Sequence, residues 1–212
     1  MTLDFNRSAL IVIDLQNDFF PGGALGISQA EQVLEPLNRL ASLFISRSGR
    51  VVATQDWHPI DHISFAASHK KTPGETIDTA EVSGQILWPT HCVQGQAGAA
   101  FHEALDLRPV HLIIRKGFRR HLDSYSAFFE NDRKTPTGLD GFLKSLSIDT
   151  LVLGGLATDY CVLYSALDAA QAGYKTIVAL DAVRGVAAAT VEQAQKLLVE
   201  AGVILAETKD IR

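Results

Sequence analysis

The amino-acid sequence predicts an α/β fold: a three-layer α/β/α arrangement built on a mostly parallel six-stranded sheet, forming one domain over residues 1–212. Three observations carry this. Short apolar runs bounded by polar residues recur along the chain, helical periodicity alternates with them, and glycines stand where helices must stop. A chain alternating in this way pairs its strands in parallel, because each helical crossover returns it to the end of the sheet where the previous strand began.

The first strand is Ala9-Leu10-Ile11-Val12-Ile13, a continuous apolar run of the kind covered on both faces, and it ends at Asp14. A helix over 30–47 follows, with Val33, Leu34, Leu37, Leu40, Ala41 and Phe44 at steps of three and four, and Gly49 beyond its end. Pro36 belongs in its first turn or breaks it. Val51-Val52-Ala53-Thr54 is the second strand, leading into Gln55-Asp56-Trp57-His58. Residues 57–109 are irregular and rich in His, Ser, Thr, Gly and Pro, and a loop this long inside a compact domain is usually functional.

His111-Leu112-Ile113-Ile114 makes a third strand that runs into Arg115-Lys116-Gly117. Short helices are predicted at 124–129 and 138–146. A fourth strand, Thr150-Leu151-Val152-Leu153, passes through Gly154-Gly155 into a helix over 160–172 stopped by Gly173. A fifth strand at 175–180, a helix at 190–201 and a short sixth strand at 203–205 complete the chain.

Composition excludes several classes. The 24 acidic and 19 basic side chains give a formal charge of −5, and basic residues come in nothing longer than pairs such as Lys70-Lys71, so no nucleic-acid partner is expected. The apolar run that ends before Asp14 is too short for a membrane span and lacks a signal-peptide pattern; no membrane association and a cytoplasmic location are expected. Only Cys92 and Cys161 are present, too few for a disulfide scaffold, and free thiols are expected. A homo-oligomer is compatible with all of this.

Ligands of parallel sheets collect beyond the carboxyl ends of the strands. Those ends carry Asp14, Asp56 and His58, Lys116, and the run Gly154 to Cys161, so four chemically capable termini converge on one rim. Cys161 is placed near a helix start, where unpaired N–H groups favour a thiolate; an isolated cysteine would more often be a small buried apolar group. Asp14 can take the thiol proton and return one to a leaving amine, and Lys116 can hold the anionic form, which makes an Asp-Lys-Cys triad. Backbone N–H groups of Ala157 and Cys161 are the expected oxyanion donors.

Asp56 and His58, two apart on an extended segment, share a face and need a third ligand to hold a divalent metal. His91 is the strongest choice; His62, His69, His102 and Cys92 are weaker ones. Two His and one carboxylate suit Zn²⁺, Mn²⁺ or Fe²⁺. Phe19, Trp88, Tyr125 and Tyr160 are the aromatic groups expected to wall a flat substrate. Asp181 after the fifth strand is expected to serve a structural capping role.

Several blocks in order along the chain carry a family resemblance: Ile13-Asp14-Leu15-Gln16-Asn17-Asp18-Phe19; Gln55-Asp56-Trp57-His58-Pro59; Trp88-Pro89-Thr90-His91-Cys92-Val93-Gln94; Lys116-Gly117; Asp123-Ser124-Tyr125-Ser126-Ala127-Phe128-Phe129; and Gly155-Leu156-Ala157-Thr158-Asp159-Tyr160-Cys161-Val162. Together they resemble the nicotinamidase/pyrazinamidase branch of the isochorismatase-like cysteine hydrolases. The resemblance implies a Rossmann-like parallel sheet, catalytic Asp14, Lys116 and Cys161, metal ligands Asp56, His58 and His91 with Zn²⁺ the leading metal, and a cis peptide before Ala157. It also implies nicotinamide as substrate and a place in NAD salvage. The run Lys116-Gly117-Phe118-Arg119-Arg120-His121 departs from the usual pattern and bears on the substrate-facing loop. Another small amide or ureido compound is the alternative substrate, and a dithiol redox protein using Cys92 and Cys161 is a rival of a different class. A dinucleotide enzyme is disfavoured because no Gly-x-Gly-x-x-Gly turn follows the first strand.

Overall fold

A computed structural model describes all residues, 1–212. The elements run β1 (Ser8–Ile13), α1 (Leu34–Ser46), β2 (Arg50–Asp56), β3 (Thr76–Ile77), β4 (Gln85–Ile86), β5 (Leu112–Lys116), α2 (Leu139–Ser145), β6 (Thr150–Leu156), α3 (Leu163–Gln171), β7 (Lys175–Arg184), α4 (Ala188–Glu200) and β8 (Ile204–Ala206). Six strands form one sheet in the order β5-β2-β1-β6-β7-β8, every pairing parallel, and β3 with β4 forms a separate small antiparallel ribbon.

The alternation within β1 sorts the core into two layers. Leu10 and Val12 pack with Leu37, Leu40 and Phe44 of α1 on one face. Ala9, Ile11 and Ile13 point the other way, toward Leu139 and Leu143 of α2, Leu163, Ala166 and Ala169 of α3, and Leu198 of α4. Each fully buried Leu, Ile or Phe contributes roughly 1.5–3 kcal/mol of transfer free energy, so the two layers together hold the sheet between them. Gly155 permits the close approach of the central strands: at φ +128°, a Cβ there would lie 2.1 Å from the Ile13 carbonyl oxygen.

Four expectations needed correction. Residues 124–129 are not helical. The backbone N–H groups of Ser124, Phe128 and Ala127 donate instead to Asp123 Oδ1, Ser126 Oγ and Ser165 Oγ, and Phe129 bridges Pro136, so side-chain oxygens outcompete the helical ladder. The helix predicted from residue 30 starts as a 3₁₀ turn, Ala30–Val33, and becomes α-helical at Leu34, which puts Pro36 in the first turn where it is tolerated. The segment entering α3, Thr158–Val162, is a π-helical turn. Asp181 lies inside β7, not after it, and its carboxylate accepts from the Thr208 N–H and hydroxyl, a structural role as expected.

The long 57–109 segment is pinned to the rim of the sheet by isolated bridges, His58 with Val93 and Phe65 with Trp88. This brings residues from the middle of the loop over the carboxyl ends of β2 and β5. No helix is long and apolar enough to cross a membrane.

Candidate active site

β5, β2, β1 and β6 are neighbours in the sheet, so Lys116, Asp56, Asp14 and Cys161 arrive side by side at one edge although they are scattered through the sequence. Lys116, wholly buried, is the hub. Its Nζ lies 2.9 Å from Asp14 Oδ2 and 2.5 Å from Asp56 Oδ1, donates to the Ser124 carbonyl at 3.0 Å, and reaches Cys161 Sγ at 3.4 Å. Burial works against its charge, but the carboxylates of Asp14 and Asp56 outweigh that and hold the ammonium well above the usual lysine range.

Asp14 is fully buried, with its backbone in the left-handed region at φ +48°. Oδ1 accepts from the Thr54 hydroxyl at 2.6 Å, while Oδ2 receives no well-aligned hydrogen bond despite its closeness to Nζ and keeps acceptor capacity for a proton. Burial raises its carboxyl to about 6, with Lys116 pulling the other way, so the group is poised to gain and lose a proton near neutrality. Burial likewise pushes the Cys161 thiol well above its ordinary value, more than the Lys116 charge lowers it. Burial therefore works against the thiolate that the helix start was expected to favour.

Asp56 turns its second oxygen away from Lys116. Oδ2 lies 3.6 Å from His58 Nε2 and 4.0 Å from His91 Nε2. Each imidazole directs Nδ1 to a backbone carbonyl at 2.8 Å, Gly117 for His58 and Pro89 for His91, which leaves Nε2 of both aimed at the same point as Oδ2. One carboxylate oxygen and two imidazole nitrogens at these separations fit a divalent cation with bonds of about 2.0–2.2 Å. The other expected donors do not join them. His62 uses both ring nitrogens, toward Ser64 Oγ and the Leu122 carbonyl; His69 contacts the Ile63 carbonyl; His102 packs on Phe20; and Cys92 is a buried thiol whose N–H donates to Asp18. Both cysteines are free.

A pocket opens beside this cluster. Phe19, Trp88, Tyr125 and Tyr160 all line it, together with His91, Ala157 and Cys161, as the sequence indicates. Trp88 Nε1 donates to the Tyr125 hydroxyl at 3.0 Å, and the Trp88 and Tyr160 rings meet edge to face at 4.8 Å, so the aromatic residues of the wall are joined to one another. The Leu156-Ala157 peptide is cis.

Several functional neighbours escaped sequence reasoning. Thr54 could have been found from its place two residues before Asp56 on one strand face. Gln16, whose amide clasps both backbone groups of Asp56 at 2.7 and 2.8 Å, stands two residues after Asp14 and follows by the same rule. Leu25, Ile27, Val186 and Asp123 also line the pocket; of these Asp123 opens one of the family-like blocks, although no role was assigned to it there.

A family model described as the isochorismatase domain matches residues 8–210. A nicotinamidase of Acinetobacter baylyi is 50% identical over 182 residues, 85% of this chain and 83% of that protein. Among solved structures, a nicotinamidase/pyrazinamidase of Acinetobacter baumanii superposes with a TM-score of 0.92 at 47% identity, covering 97% of this chain and 98% of the other. The pyrazinamidase of Pyrococcus horikoshii, solved in complex with zinc, superposes with a TM-score of 0.80 at 31% identity, covering 95% and 99%.

Proposed function

Because the chain belongs to the isochorismatase family, we propose that it acts as a nicotinamidase, hydrolysing nicotinamide to nicotinate and ammonia for NAD salvage, with residues 1–212 as one catalytic unit. Pyrazinamide, the same carboxamide on a diazine ring, is a second substrate. Relatives named for these activities support the reading over most of the chain. The single observation that carries it is the Lys116 ammonium, which links an acid-base carboxylate, a metal-facing carboxylate and a thiol within 3.4 Å.

Asp56, His58 and His91 would hold a divalent cation, Zn²⁺ by analogy with the zinc-bound relative. When bound it would supply Lewis acidity beside the pocket. Phe19, Trp88, Tyr125 and Tyr160 hold the ring flat and keep water from its faces, so that the carboxamide meets Cys161 in a fixed orientation.

Asp14 takes the proton from the Cys161 thiol and the sulfur attacks the carboxamide carbon. The Lys116 charge steadies the thiolate as it forms, and backbone N–H groups of Ala157 and Cys161 serve the oxyanion. The C–N bond breaks as Asp14 passes its proton to nitrogen, and ammonia leaves a thioester. Water then gives a proton to Asp14 while its oxygen attacks the thioester carbon. The C–S bond breaks, the acid departs and ionises, and the sulfur takes back the Asp14 proton.

Ammonia release from nicotinamide by the metal-loaded protein tests the whole reading; its absence refutes it. Cys161→Ala should lower turnover by about 10³-fold or more with metal stoichiometry unchanged. Normal turnover in that variant rules out the thioester.

A further inference from the structure

We propose that Asp123 determines the selectivity of the pocket for a neutral amide over its anionic product, and so drives nicotinate out after hydrolysis; the role rests on the nicotinamidase reading. Asp123 is 3% exposed and lines the pocket with Trp88, Tyr125, Tyr160 and Cys161, yet the reaction sequence makes no use of it. Much of the wall around it is apolar.

Its surroundings set it apart from the other two carboxylates. Asp14 and Asp56 share the Lys116 ammonium, whereas Asp123 forms no ion pair. Neutral donors hold it, one to each oxygen: the Ser124 N–H to Oδ1 at 2.8 Å and the Gln85 side-chain amide to Oδ2 at 2.9 Å. Gln85 is fixed in turn by the Ile86 carbonyl and by Asn131, whose own oxygen accepts the Tyr125 N–H. A buried charge with only neutral partners is expensive. The hydrogen bonds account for two acceptor oxygens here, but they give no functional reason for the charge.

Charge balance gives one. A carboxylate oxygen of Asp123 lies within 4.8 Å of ring nitrogens of His58 and His62. With a divalent cation held by Asp56, His58 and His91, the three carboxylates Asp14, Asp56 and Asp123 balance that cation and Lys116, and the site is neutral. Without Asp123 it carries one net positive charge beside a largely apolar pocket, which is an anion trap. Nicotinamide is neutral and indifferent to this; nicotinate is not. Selectivity is a difference of affinities, and here the repulsive element against the product is visible while the attraction for substrate lies elsewhere.

The test uses the metal-loaded protein and two ligands sharing one ring, nicotinate and the neutral 3-acetylpyridine, with affinities read by calorimetry. Asp123→Asn keeps the size and can still accept from Ser124 while its Nδ2 faces the Gln85 donor, so metal content and Tm are measured on the variant before the ligands are compared. Nicotinate should bind about tenfold tighter in the variant while 3-acetylpyridine shifts by less than about threefold. The kcat for nicotinamide should fall through a product-release burst without a rise in KM. Unchanged nicotinate affinity, a parallel shift of both ligands, or loss of the metal overturns the proposal. If the variant does not fold, the unaltered protein decides: nicotinate must bind at least about tenfold more weakly than 3-acetylpyridine, and equal or tighter binding overturns it. Nicotinamide that is hydrolysed normally alongside unchanged nicotinate affinity removes this inference alone, whereas no hydrolysis removes the reading beneath it.

Discussion

Thr54 and Asp14 exchange two hydrogen bonds: the Thr54 hydroxyl donates to Asp14 Oδ1 at 2.6 Å and accepts the Asp14 N–H at 3.1 Å. The pair locks a residue whose backbone sits at positive φ, and it leaves Oδ2 as the oxygen free to move a proton. Thr54→Val removes the hydroxyl at nearly constant shape. It should cost about 1–3 kcal/mol of stability through two orphaned groups on Asp14, and lower kcat about 10–100-fold by misplacing the base, with KM and metal content unchanged. Thr54→Ser separates the two effects, because it loses a buried methyl but should restore most of kcat; serine behaving like valine would show that the hydroxyl only packs. Lys116 poses the opposite case. Lys116→Met leaves Asp14 and Asp56 as neighbouring buried carboxylates with no shared ammonium, and should destabilise by roughly 3–5 kcal/mol in denaturant unfolding as well as abolish turnover. A loss under about 1 kcal/mol would mean that the lysine does not balance these charges.

At the level of elements, the strand ends do the positioning, and this is what made the site legible. Strands buried on both faces read as unbroken apolar runs, so β1, β2 and β6 and the groups at their ends could be located without coordinates, while β5, at the sheet edge with Ile113 exposed, was marked by the shorter run Leu112-Ile113-Ile114. The segment 124–129 misled because its Ser and Asp oxygens capture nearby N–H groups, a competition that helical spacing does not reveal. Asp123 stayed hidden for a related reason: it reaches the pocket from that irregular stretch, where no period assigns a face. Gly117, directly after β5, shows how strictly an element's end can be specified. It adopts φ +61°, its carbonyl meets His58 Nδ1 at 2.8 Å, and a Cβ would lie 2.4 Å from the His58 ring. Gly117→Ala should therefore tilt the imidazole and weaken metal affinity about 10–100-fold in a competition titration with a chelator. An unchanged affinity would show that His58 is oriented by other contacts.

For the molecule as a whole, the sheet order β5-β2-β1-β6 makes the metal group part of the fold's own closure. Asp56 comes from β2, His58 from the chain just beyond it, and His91 from a long loop held to the rim by a few bridges. A cation bound by all three ties that loop to the central strands and offsets the negative excess around Lys116, so it binds the folded chain and has no equivalent site in the unfolded one. Linkage then requires that it stabilise the entire protein: at a hundredfold excess of free metal over its Kd, by about 2.7 kcal/mol. For a chain of this length each kcal/mol moves Tm by roughly 2–4 °C, so chelation should lower Tm by about 5–11 °C and adding metal back should restore it. Activity should disappear and return along the same titration. The discriminating variant is His91→Ala, which should show a much smaller shift on chelation because the loop is no longer tied to the strands by metal. A Tm that chelation leaves unchanged, in a protein still able to hydrolyse nicotinamide, would mean that Asp56, His58 and His91 serve through hydrogen bonds and charge alone.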